Sequence, residues 1–504
     1  MRDILKKTMA EKKKKVIIIG AGPGGLSSAM ILAHRGYDVV VYEKQTYVGG
    51  RTSAIKVDGF TFELGPTFVM LPQAFDDVFK NTGRKVSDYL DMRRLETMYR
   101  LRFDDGRNFV VPFDKEKLKQ EIARLFPGDE VGYEQYLKEQ KIKFDYMYPC
   151  LKVPYLHWYN YLRLKLVKAF PRMQNFTSVY DVMAKYFKHE DMRISMTFQA
   201  KYLGMSPWQC PGAFSILSYI EHAFGIFHPI GGVHKITEVM ANIIKEDGGR
   251  VVLNKPIQKI LLEDNRAVGV IFEDGTTDKA DFVIMNVDFA AGMKELLPES
   301  SRGKWTDKEL ARRPYSCSTF MLYLGLDKKY DIPHHNIFFA KDYKHNIEQI
   351  FNSKELPEDP SFYIQNASVT DATLAPEGKS TIYVLVPVPN LDASIDWTVQ
   401  KKQYRDLIIK MISEKTEMKD IENHIEVERI ISPSDWESKI NVYKGAVFNL
   451  SHTVGQMLYL RPHNKFKEVD GLYLVGGGTH PGSGLPTIVE SGRITADLIS
   501  QIRN

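Results

Sequence analysis

The sequence is poor in cysteine, with only three in 504 residues. Cys150, Cys210 and Cys317 lie far apart and form no C-x-x-C pair, so neither a disulfide framework nor a cysteine-based metal site is indicated. We expect reduced thiols, as in the cytoplasm, and we predict no metal ligands.

Long apolar runs are also absent. No stretch of about 18 uncharged apolar residues occurs, so no membrane-spanning helix is predicted. The run Val16 to Ile19 is short and is ended by a glycine, so it does not form the apolar core of a signal peptide. Residues 1–15 are rich in lysine, and we interpret them as a solvated basic tail.

Net charge is low for the length, at +5. This value does not indicate a nucleic-acid partner. The 43% hydrophobic and 26% charged residues are typical of a globular protein. A chain of 504 residues is long enough for two to four lobes and a large core.

A nucleotide-binding pattern opens the chain. Val16 to Gly20 has the composition of a buried parallel strand, and a helical pattern follows it. Between the two, Gly20-Ala21-Gly22-Pro23-Gly24-Gly25 fits G-x-G-x-x-G. In that motif Gly20 permits the tight turn, Gly22 lets the backbone approach a pyrophosphate, and Gly25 lets the helix pack on the strand.

Val39 to Tyr42 is predicted to be a second buried strand, which completes a βαβ unit. Glu43 follows it, where a carboxylate can accept hydrogen bonds from ribose hydroxyls. These features do not separate FAD from NAD. In Gly49-Gly50-Arg51 the glycines allow a second close approach to the diphosphate and Arg51 can donate charge-assisted hydrogen bonds. This segment resembles the second part of the dinucleotide fingerprint of flavoproteins, and that resemblance favours a flavin nucleotide. The alternative is a plain turn with a surface cation.

The carboxyl end contains the most specific pattern, from Gly471 to Leu485. A strand leads into a glycine-rich loop, and the loop opens a final helix. Backbone N–H groups at such a helix start suit phosphate, ribityl or flavin oxygens. A merely flexible loop does not explain the buried strand before it and the apolar helix after it.

This carboxyl-terminal segment resembles the signature of the bacterial-type phytoene dehydrogenases, and the likeness runs along nearly the whole chain. It is greatest to dehydrosqualene (diapophytoene) desaturases, with phytoene desaturases next. Further matching blocks are Asp58 to Thr67, Phe227 to Gly232, Pro314 to Ser318 and Gly445 to Phe448.

The resemblance implies an α/β fold with a Rossmann-like FAD-binding domain of the amine-oxidase and phytoene-desaturase superfamily. It implies FAD as the cofactor, with Glu43 on the adenosine ribose and Arg51 near the diphosphate. The predicted cofactor-binding residues are Gly20, Gly22, Gly25, Glu43, Gly50, Arg51, Glu63, Ile257, Gly478, Thr479, His480, Leu485 and Pro486.

The domain prediction follows from the same likeness and from composition. The FAD-binding domain is expected to be discontinuous, with residues 16–75, 230–300 and 465–504. Residues 76–229 are rich in aromatic and basic residues at helical spacing, and are predicted to form a helical, membrane-facing and substrate region. Residues 301–464 are predicted to form a mixed-sheet substrate-binding domain.

The implied reaction is desaturation of a C30 or C40 carotenoid precursor, with a hydride passing to flavin N5 and a proton leaving the neighbouring carbon. Glu221 and His222 are candidate proton acceptors because they lie in an apolar stretch. The alternative is a satisfied buried pair or a surface-facing pair. Glu63 is expected to bond backbone near the isoalloxazine. A quinone or oxygen is the expected electron acceptor.

Met147 to Tyr180 contains no aspartate or glutamate, and mixes lysine and arginine with tyrosine, tryptophan and leucine. This composition fits a helix in an anionic bilayer interface, where a long apolar polyene would be taken up. The alternative is a core helix whose lysines extend to solvent. We therefore expect a cytoplasmic protein bound peripherally to the cytoplasmic membrane.

Other enzymes on this fold remain as alternatives: an amine oxidase, a carotenoid isomerase or a carotenoid terminal oxidase. A non-enzymatic alternative is a prenyl-binding escort similar to the GDP-dissociation inhibitors. The intact glycine loops at both ends argue against that alternative.

Overall fold

The structure is a computed structural model and describes residues 13–501, so most of the predicted basic tail lies outside the described residues. Within this range the chain forms nineteen β-strands and fifteen α-helices. The strands are β1 (Lys15–Ile19), β2 (Asp38–Tyr42), β3 (Ala54–Val57), β4 (Phe60–Glu63), β5 (Met92–Arg94), β6 (Thr97–Arg102), β7 (Asn108–Pro112), β8 (Phe227–Pro229), β9 (Arg250–Val252), β10 (Ile257–Glu263), β11 (Arg266–Phe272), β12 (Thr277–Lys279), β13 (Phe282–Met285), β14 (Ser318–Leu326), β15 (His335–Phe338), β16 (Phe362–Gln365), β17 (Ser380–Val388), β18 (Ile425–Ile431) and β19 (Leu472–Leu474). The helices are α1 (Pro23–His34), α2 (Pro72–Lys80), α3 (Lys115–Leu125), α4 (Asp129–Leu151), α5 (Leu164–Met173), α6 (Val179–Met183), α7 (Glu190–Ser195), α8 (Ile216–Phe224), α9 (Lys235–Glu246), α10 (Phe289–Leu296), α11 (Asp307–Arg312), α12 (Tyr343–Glu348), α13 (Trp397–Lys415), α14 (Pro433–Ile440) and α15 (Leu485–Ser500).

A five-stranded parallel sheet carries both ends of the chain, in the order β19-β13-β1-β2-β9. Its strands are apolar on both faces, as expected of a parallel sheet covered on both sides. Val16 and Ile18 face a core formed with α1, α9 and α15. Ile17 and Ile19 face the other side, where α10 and the small sheet β10-β11-β12 pack. The βαβ unit predicted from the first glycine motif is present.

A seven-stranded mixed sheet forms the second lobe, in the order β18-β14-β17-β16-β15-β6-β7. One face packs on α13, and the other packs on β4, which follows the second glycine motif. Here the structure differs from the domain prediction, because β6 and β7 lie within residues assigned to the helical region. β6 pairs in parallel with β15 and antiparallel with β7. The turn at Asp104-Asp105-Gly106 closes this hairpin.

The helices α3 to α8 enclose a third core, rich in tyrosine, phenylalanine and methionine. The sequence analysis expected the aromatic and basic stretch to form a helix, but in the structure it is not one continuous helix. It consists of the end of α4, a 3₁₀ turn at Trp158–Leu162, and the ten-residue α5. Pro154 lies between α4 and this turn, and proline has no backbone N–H to continue a helix. Among residues 13–501, no helix is both long and apolar enough to cross a bilayer.

Candidate functional site

The amino-terminal glycine loop lies at the carboxyl edge of the parallel sheet, between β1 and α1. Gly20 has a φ of +94°, which L side chains rarely adopt, and a Cβ there would lie 2.5 Å from the backbone oxygen of Asn286. Gly22 is the N-cap of α1 and supplies no side-chain cap. The first N–H groups of α1 are therefore available to an anion, such as a pyrophosphate.

Asn286 fastens this loop and was missed from the sequence. Its Nδ2 donates to the carbonyl oxygens of Gly20, at 2.8 Å, and Gly22, at 3.3 Å. A Cβ on Gly25 would lie 2.5 Å from that same Nδ2. Asn286 directly follows β13 at the edge where such folds bind ligands, and this position was a usable signal.

The second glycine motif lies directly on the first. The N–H of Gly49 donates to the carbonyl of Ala21 at 2.8 Å, and Gly49 has a φ of +111°. A Cβ built on Gly50 would lie 3.6 Å from the Cα of Gly22. The two motifs that the sequence separates by about two dozen residues therefore line one groove.

Glu43 directly follows β2 beside this groove and is buried. One carboxylate oxygen accepts from the N–H of Ala21 at 2.7 Å, and the other accepts from the N–H of Gln45 at 2.9 Å. A carboxylate has about four acceptor sites, so capacity for ribose hydroxyls remains. Lys255 donates its N–H to the carbonyl of Glu43 at 2.9 Å, which brings Ile257 to the same end of the sheet.

The carboxyl-terminal glycine loop joins the same edge. α15 packs across α1 so closely that a Cβ on Gly492 would lie 2.4 Å from the carbonyl oxygen of Gly24. α15 starts after Gly484, again without a side-chain cap. Its first turn contains Leu485 and Pro486, both buried. The two ends of the chain thus converge, which is the condition on which the flavin hypothesis depends.

Arg461 binds the backbone of this loop through its guanidinium group. No pattern in the sequence predicted this role. Arg461 is fully buried, and its guanidinium donates to the carbonyl oxygens of Gly477 at 2.6 Å, Gln456 at 3.2 Å, and Thr479 and Leu450 at 3.3 Å. Burial lowers the pKa of Arg461 to about 9, so its charge persists at neutral pH.

Gly478 lies where a side chain would not fit. A Cβ there would stand 2.5 Å from both the Oδ1 of Asn449 and the Cβ of Phe289. The Nδ2 of Asn449 donates to Asp288 at 2.7 Å, and the Nη2 of Arg51 lies 3.8 Å from the same carboxylate oxygen. Burial raises the pKa of Asp288, and Arg51 opposes that rise. Arg51 therefore connects the second glycine motif with the carboxyl-terminal half.

His480 is buried and faces the helical part of the chain. Its Nε2 lies 3.0 Å from the carbonyl oxygen of Val153, so that nitrogen carries the hydrogen. Its ring meets Tyr155 edge-on, with centroids 5.1 Å apart. Burial lowers the pKa of His480 to about 3, so the imidazole is neutral at pH 7. The glycine-rich loop is thus tied to the start of the aromatic and basic stretch.

Both carboxylate oxygens of Glu63 bind backbone. Oε1 accepts from the N–H of Val233 at 2.6 Å, and Oε2 accepts from the N–H of His234 at 3.2 Å. These groups precede α9, so Glu63 fixes the turn through which the chain returns to the parallel sheet. Its expected place near the isoalloxazine stays a prediction.

Glu221 and His222 lie inside the helical core on α8, so they are not a surface pair. Oε2 of Glu221 accepts from Nε2 of Gln199 at 2.8 Å and from the hydroxyl of Tyr99 at 3.2 Å. Nδ1 of His222 lies 3.0 Å from the hydroxyl of Tyr133. Burial raises the pKa of Glu221 to about 7 and lowers that of His222 to about 3.

The three cysteines are all buried and unpaired. In the part of the chain that the structure describes, no three histidine, cysteine or acidic side chains are grouped to hold a metal ion.

These features together fit a dinucleotide. They are two helix starts without side-chain caps, three glycine segments without room for side chains, and a buried carboxylate at the end of a strand. The site therefore defines a dinucleotide-binding protein of the Rossmann type. The chain belongs to the family described as Flavin containing amine oxidoreductase, whose profile matches residues 23–500. It is an oxidoreductase with FAD as its cofactor, and the predicted fold class is confirmed.

Within this family, relatives that match nearly the whole chain include carotenoid desaturases. The chain is 48% identical over 488 residues to a 4,4'-diapophytoene desaturase (4,4'-diapolycopene-forming) of a Methylomonas species, covering 97% of this chain and 95% of the relative. It is 35% identical over 489 residues to a zeta-carotene-forming phytoene desaturase of Myxococcus xanthus, covering 96% and 94%. The resemblance to this family is confirmed.

Solved structures show how widely the fold is shared. A putrescine oxidase bound to putrescine matches with a TM-score of 0.62 at 17% identity, covering 97% of this chain and 99% of that one. A Rab GDI of Plasmodium falciparum matches with a TM-score of 0.55 at 14% identity, covering 97% and 98%. Since an oxidase and a GDI share the fold, function has to be argued from the site and the close relatives.

Proposed function

We propose that this chain is an FAD-dependent desaturase that introduces double bonds into a C30 carotenoid precursor, dehydrosqualene (4,4'-diapophytoene). The observation that carries the proposal is the 48% identity to a 4,4'-diapophytoene desaturase over nearly the full length of both chains. The phytoene desaturase named above is more distant, at 35%, so the choice of a C30 over a C40 substrate depends on the single relative at 48%.

The bound flavin supplies a hydride acceptor. The protein's own residues bind it, orient the substrate and keep water away. The diphosphate would lie at the uncapped start of α1, with Glu43 on the ribose and Arg51 beside the phosphates. Neutral His480 and the backbone held by Arg461 would line the flavin without placing a full charge against an apolar polyene.

The proposal is tested by anaerobic reduction of the flavin. Purified protein mixed with liposomes containing dehydrosqualene should lose its flavin absorption and form a product lighter by two hydrogens per new double bond. Phytoene in the same liposomes should react at least about tenfold more slowly, a difference of about 1.4 kcal/mol in transition-state binding. Readmission of a quinone or of oxygen should restore the flavin absorption, and the faster of the two identifies the acceptor.

The alternatives give other products. An isomerase would leave the mass of the polyene unchanged, a terminal oxidase would add oxygen, and a GDI-like escort would contain no flavin. Fast reduction by an amine, with neither polyene reacting, would overturn the proposal in favour of an amine oxidase.

We further propose that residues 153–176 dock on an anionic bilayer surface at the cytoplasmic face, where the substrate is taken up. Large apolar side chains are exposed here in unusual density: Trp158, Tyr159, Tyr161, Leu162, Leu164, Val167, Phe170 and Phe176. Leu162 is 68% exposed and Phe176 is 89% exposed. Lys165, Lys168 and Arg172 are exposed on the same short helix, α5. Aromatic and basic side chains together favour an interfacial position.

The double variant Lys165→Glu with Lys168→Glu is expected to lose most binding to anionic vesicles. Each basic residue near such a surface contributes about 1 kcal/mol, so reversing two charges should weaken binding at least about 100-fold. Sedimentation with phosphatidylserine-containing vesicles measures this.

The matched control is Lys402→Glu with Lys410→Glu, two exposed lysines on α13, which packs on the seven-stranded sheet, and this variant changes the net charge equally. Equal loss in both double variants would mean that overall charge alone governs binding. Unchanged binding in the first variant would exclude the segment as the docking surface.

A further inference from the structure

Glu221 is an unusual residue for the centre of a core. It is fully buried, and across residues 13–501 no basic side chain forms an ion pair with it. Its Oε2 accepts two hydrogen bonds, whereas its Oε1 is buried with no partner. A buried carboxylate that lacks a cation and leaves one oxygen unpaired destabilises a fold, so such a group is a candidate for a functional role.

The hydrogen bonds around Glu221 run in one direction. The hydroxyl of Tyr99 donates its hydrogen to Oε2 of Glu221. In the contact with Nε2 of His222, 3.4 Å away, the oxygen of Tyr99 can therefore only be the acceptor. His222 is neutral, with one N–H, and this places the hydrogen on Nε2. Its Nδ1 then accepts from the hydroxyl of Tyr133 at 3.0 Å. In this series of hydrogen bonds, from Tyr133 through His222 and Tyr99, every donor points toward the carboxylate of Glu221.

Aromatic rings surround this network. Tyr99 meets Phe198 edge-on with centroids 5.4 Å apart, Phe198 meets Tyr202 at 5.9 Å, and Tyr202 meets Phe68 at 5.6 Å. Faces and edges of rings suit a flat conjugated chain, and ring faces stabilise a positive charge spread along it. The surroundings of Glu221 therefore match the chemistry of a polyene that loses a hydride.

The aromatic rings around Glu221 (Tyr99, Phe198, Tyr202 and Phe68) are called the aromatic cage. One series of contacts connects this cage to the dinucleotide groove through the second glycine motif. Gly65 lies against the backbone of Arg51, where a Cβ would come within 2.6 Å of the Arg51 oxygen. Three residues later, Phe68 contacts Tyr202 of the cage.

A second route starts from the carboxyl-terminal loop. The hydroxyl of Ser483 donates to the carbonyl of Phe448, and the ring of Phe448 lies 2.6 Å from where a Cβ on Gly204 would be. Gly204 ends the short 3₁₀ helix that carries Gln199 and Tyr202. Two independent paths thus lead from the flavin loops to Glu221.

We propose that Oε1 of Glu221 accepts the proton released in each desaturation step, with Tyr99 and His222 as positioning residues. This inference rests on the proposed desaturase function. The substrate gives a hydride to the flavin and a proton to Glu221, and the electron pair of the second C–H bond becomes the new C=C bond. The electron acceptor, a quinone or oxygen, then takes the two electrons, the hydride-derived proton and the Glu221 proton, which restores the carboxylate.

The titration of Glu221 sets the expected pH dependence. The titratable groups that face it or its partners are Tyr99, Tyr133, Tyr136, Tyr202 and His222, and Lys115 acts on His222. The tyrosines have pKa values well above 10 and His222 stays neutral, so none of these changes charge near pH 7. Desolvation raises the pKa of Glu221 to about 7, and the nearby polar groups of Gln199, Tyr202 and Tyr99 oppose this rise. Flavin reduction should therefore speed up as the pH rises through about 7.

The experiment is single-turnover flavin reduction by liposome-borne dehydrosqualene at pH 5.5 to 9, with wild type, Glu221→Gln and Tyr99→Phe. Loss of a general base slows a step by about 10²–10⁴-fold, so the rate of flavin reduction by Glu221→Gln should be at least about 100-fold lower at pH 8, and its pH profile should lack the inflection near pH 7. Tyr99→Phe removes a donor to the charged carboxylate, so the inflection should move to higher pH. A carbonyl-stretch infrared band titrating near pH 7 in resting holoprotein should vanish in Glu221→Gln.

Glu139→Gln is the matched control, because Glu139 also accepts from a tyrosine hydroxyl, that of Tyr186, on a partly exposed face of α4. It should leave both readouts unchanged. A flavin-loaded Glu221→Gln protein with the wild-type pH profile would overturn the inference, as would a Tyr99→Phe protein with an unmoved inflection. If wild type reduces its flavin with neither polyene, the desaturase proposal fails, while the infrared band still reports the ionisation of Glu221.

Discussion

Gly25→Ala is expected to yield folded protein that no longer retains FAD. The added Cβ would lie 2.5 Å from the Nδ2 of Asn286 and 2.8 Å from the carbonyl oxygen of Gly20, both closer than real contacts allow. Relief requires Asn286 to release the loop or α1 to move away from β1. Either shift displaces the N–H groups that would face the diphosphate, and a loss of about 100-fold in affinity corresponds to about 2.7 kcal/mol.

Flavin content after gel filtration and FAD titration of the apoprotein measure this effect. Gly455→Ala is the control, because a Cβ there meets nothing within 4 Å and the backbone is not left-handed. It should bind FAD as wild type does. FAD retained at wild-type affinity by Gly25→Ala would mean that the diphosphate lies elsewhere.

The glycine motifs could be predicted from the sequence because each is local. Tight turns, close approaches and a carboxylate after a strand are written in a few consecutive residues, as at Gly20 and Glu43. Asn286 and Arg461 act across long separations in the chain, the former on Gly20 and the latter on Gly477. No pattern around either residue states which loop it will hold.

The same distinction applies to the fold. The first two strands of the parallel sheet, β1 and β2, were predicted to within about one residue because they are largely continuous apolar runs. The hairpin β6–β7 was not, since its alternating Met-Tyr-Arg-Leu-Arg pattern lies in a stretch dominated by helical spacing. It forms because β15, more than 200 residues away, offers an edge in parallel register. Pairing of that kind is decided by tertiary context.

Contacts of His480 suggest why the membrane-facing stretch and the flavin loop occur together. His480 donates to the carbonyl of Val153 and packs on Tyr155, immediately before the exposed apolar residues of the 153–176 segment. Arg493, on α15, donates to the carbonyl of Lys152 at 2.7 Å. The proposed docking surface is thus fastened at its start to the loop and helix that would hold the flavin, which gives a short path from bilayer to cofactor.

Arg461→Met should cause the second large loss, in stability and in flavin retention together. Methionine fills a similar volume but donates nothing, so the carbonyls of Gly477, Thr479, Leu450 and Gln456 lose their donor inside the core. Removing one partner of a buried charged network typically costs about 3–5 kcal/mol. We expect flavin release at clearly lower urea concentration than in wild type, followed by flavin fluorescence.

Arg461→Lys separates charge from geometry. Lysine keeps the positive charge but has one donor group, which cannot reach four carbonyls that lie in different directions. If hydrogen bonding to the loop is what matters, Arg461→Lys should fall near Arg461→Met. If the charge near the cofactor matters most, it should fall near wild type. Arg429→Met, at an exposed arginine, should change neither stability nor flavin release, and a loss there equal to that of Arg461→Met would refute the assigned role of Arg461.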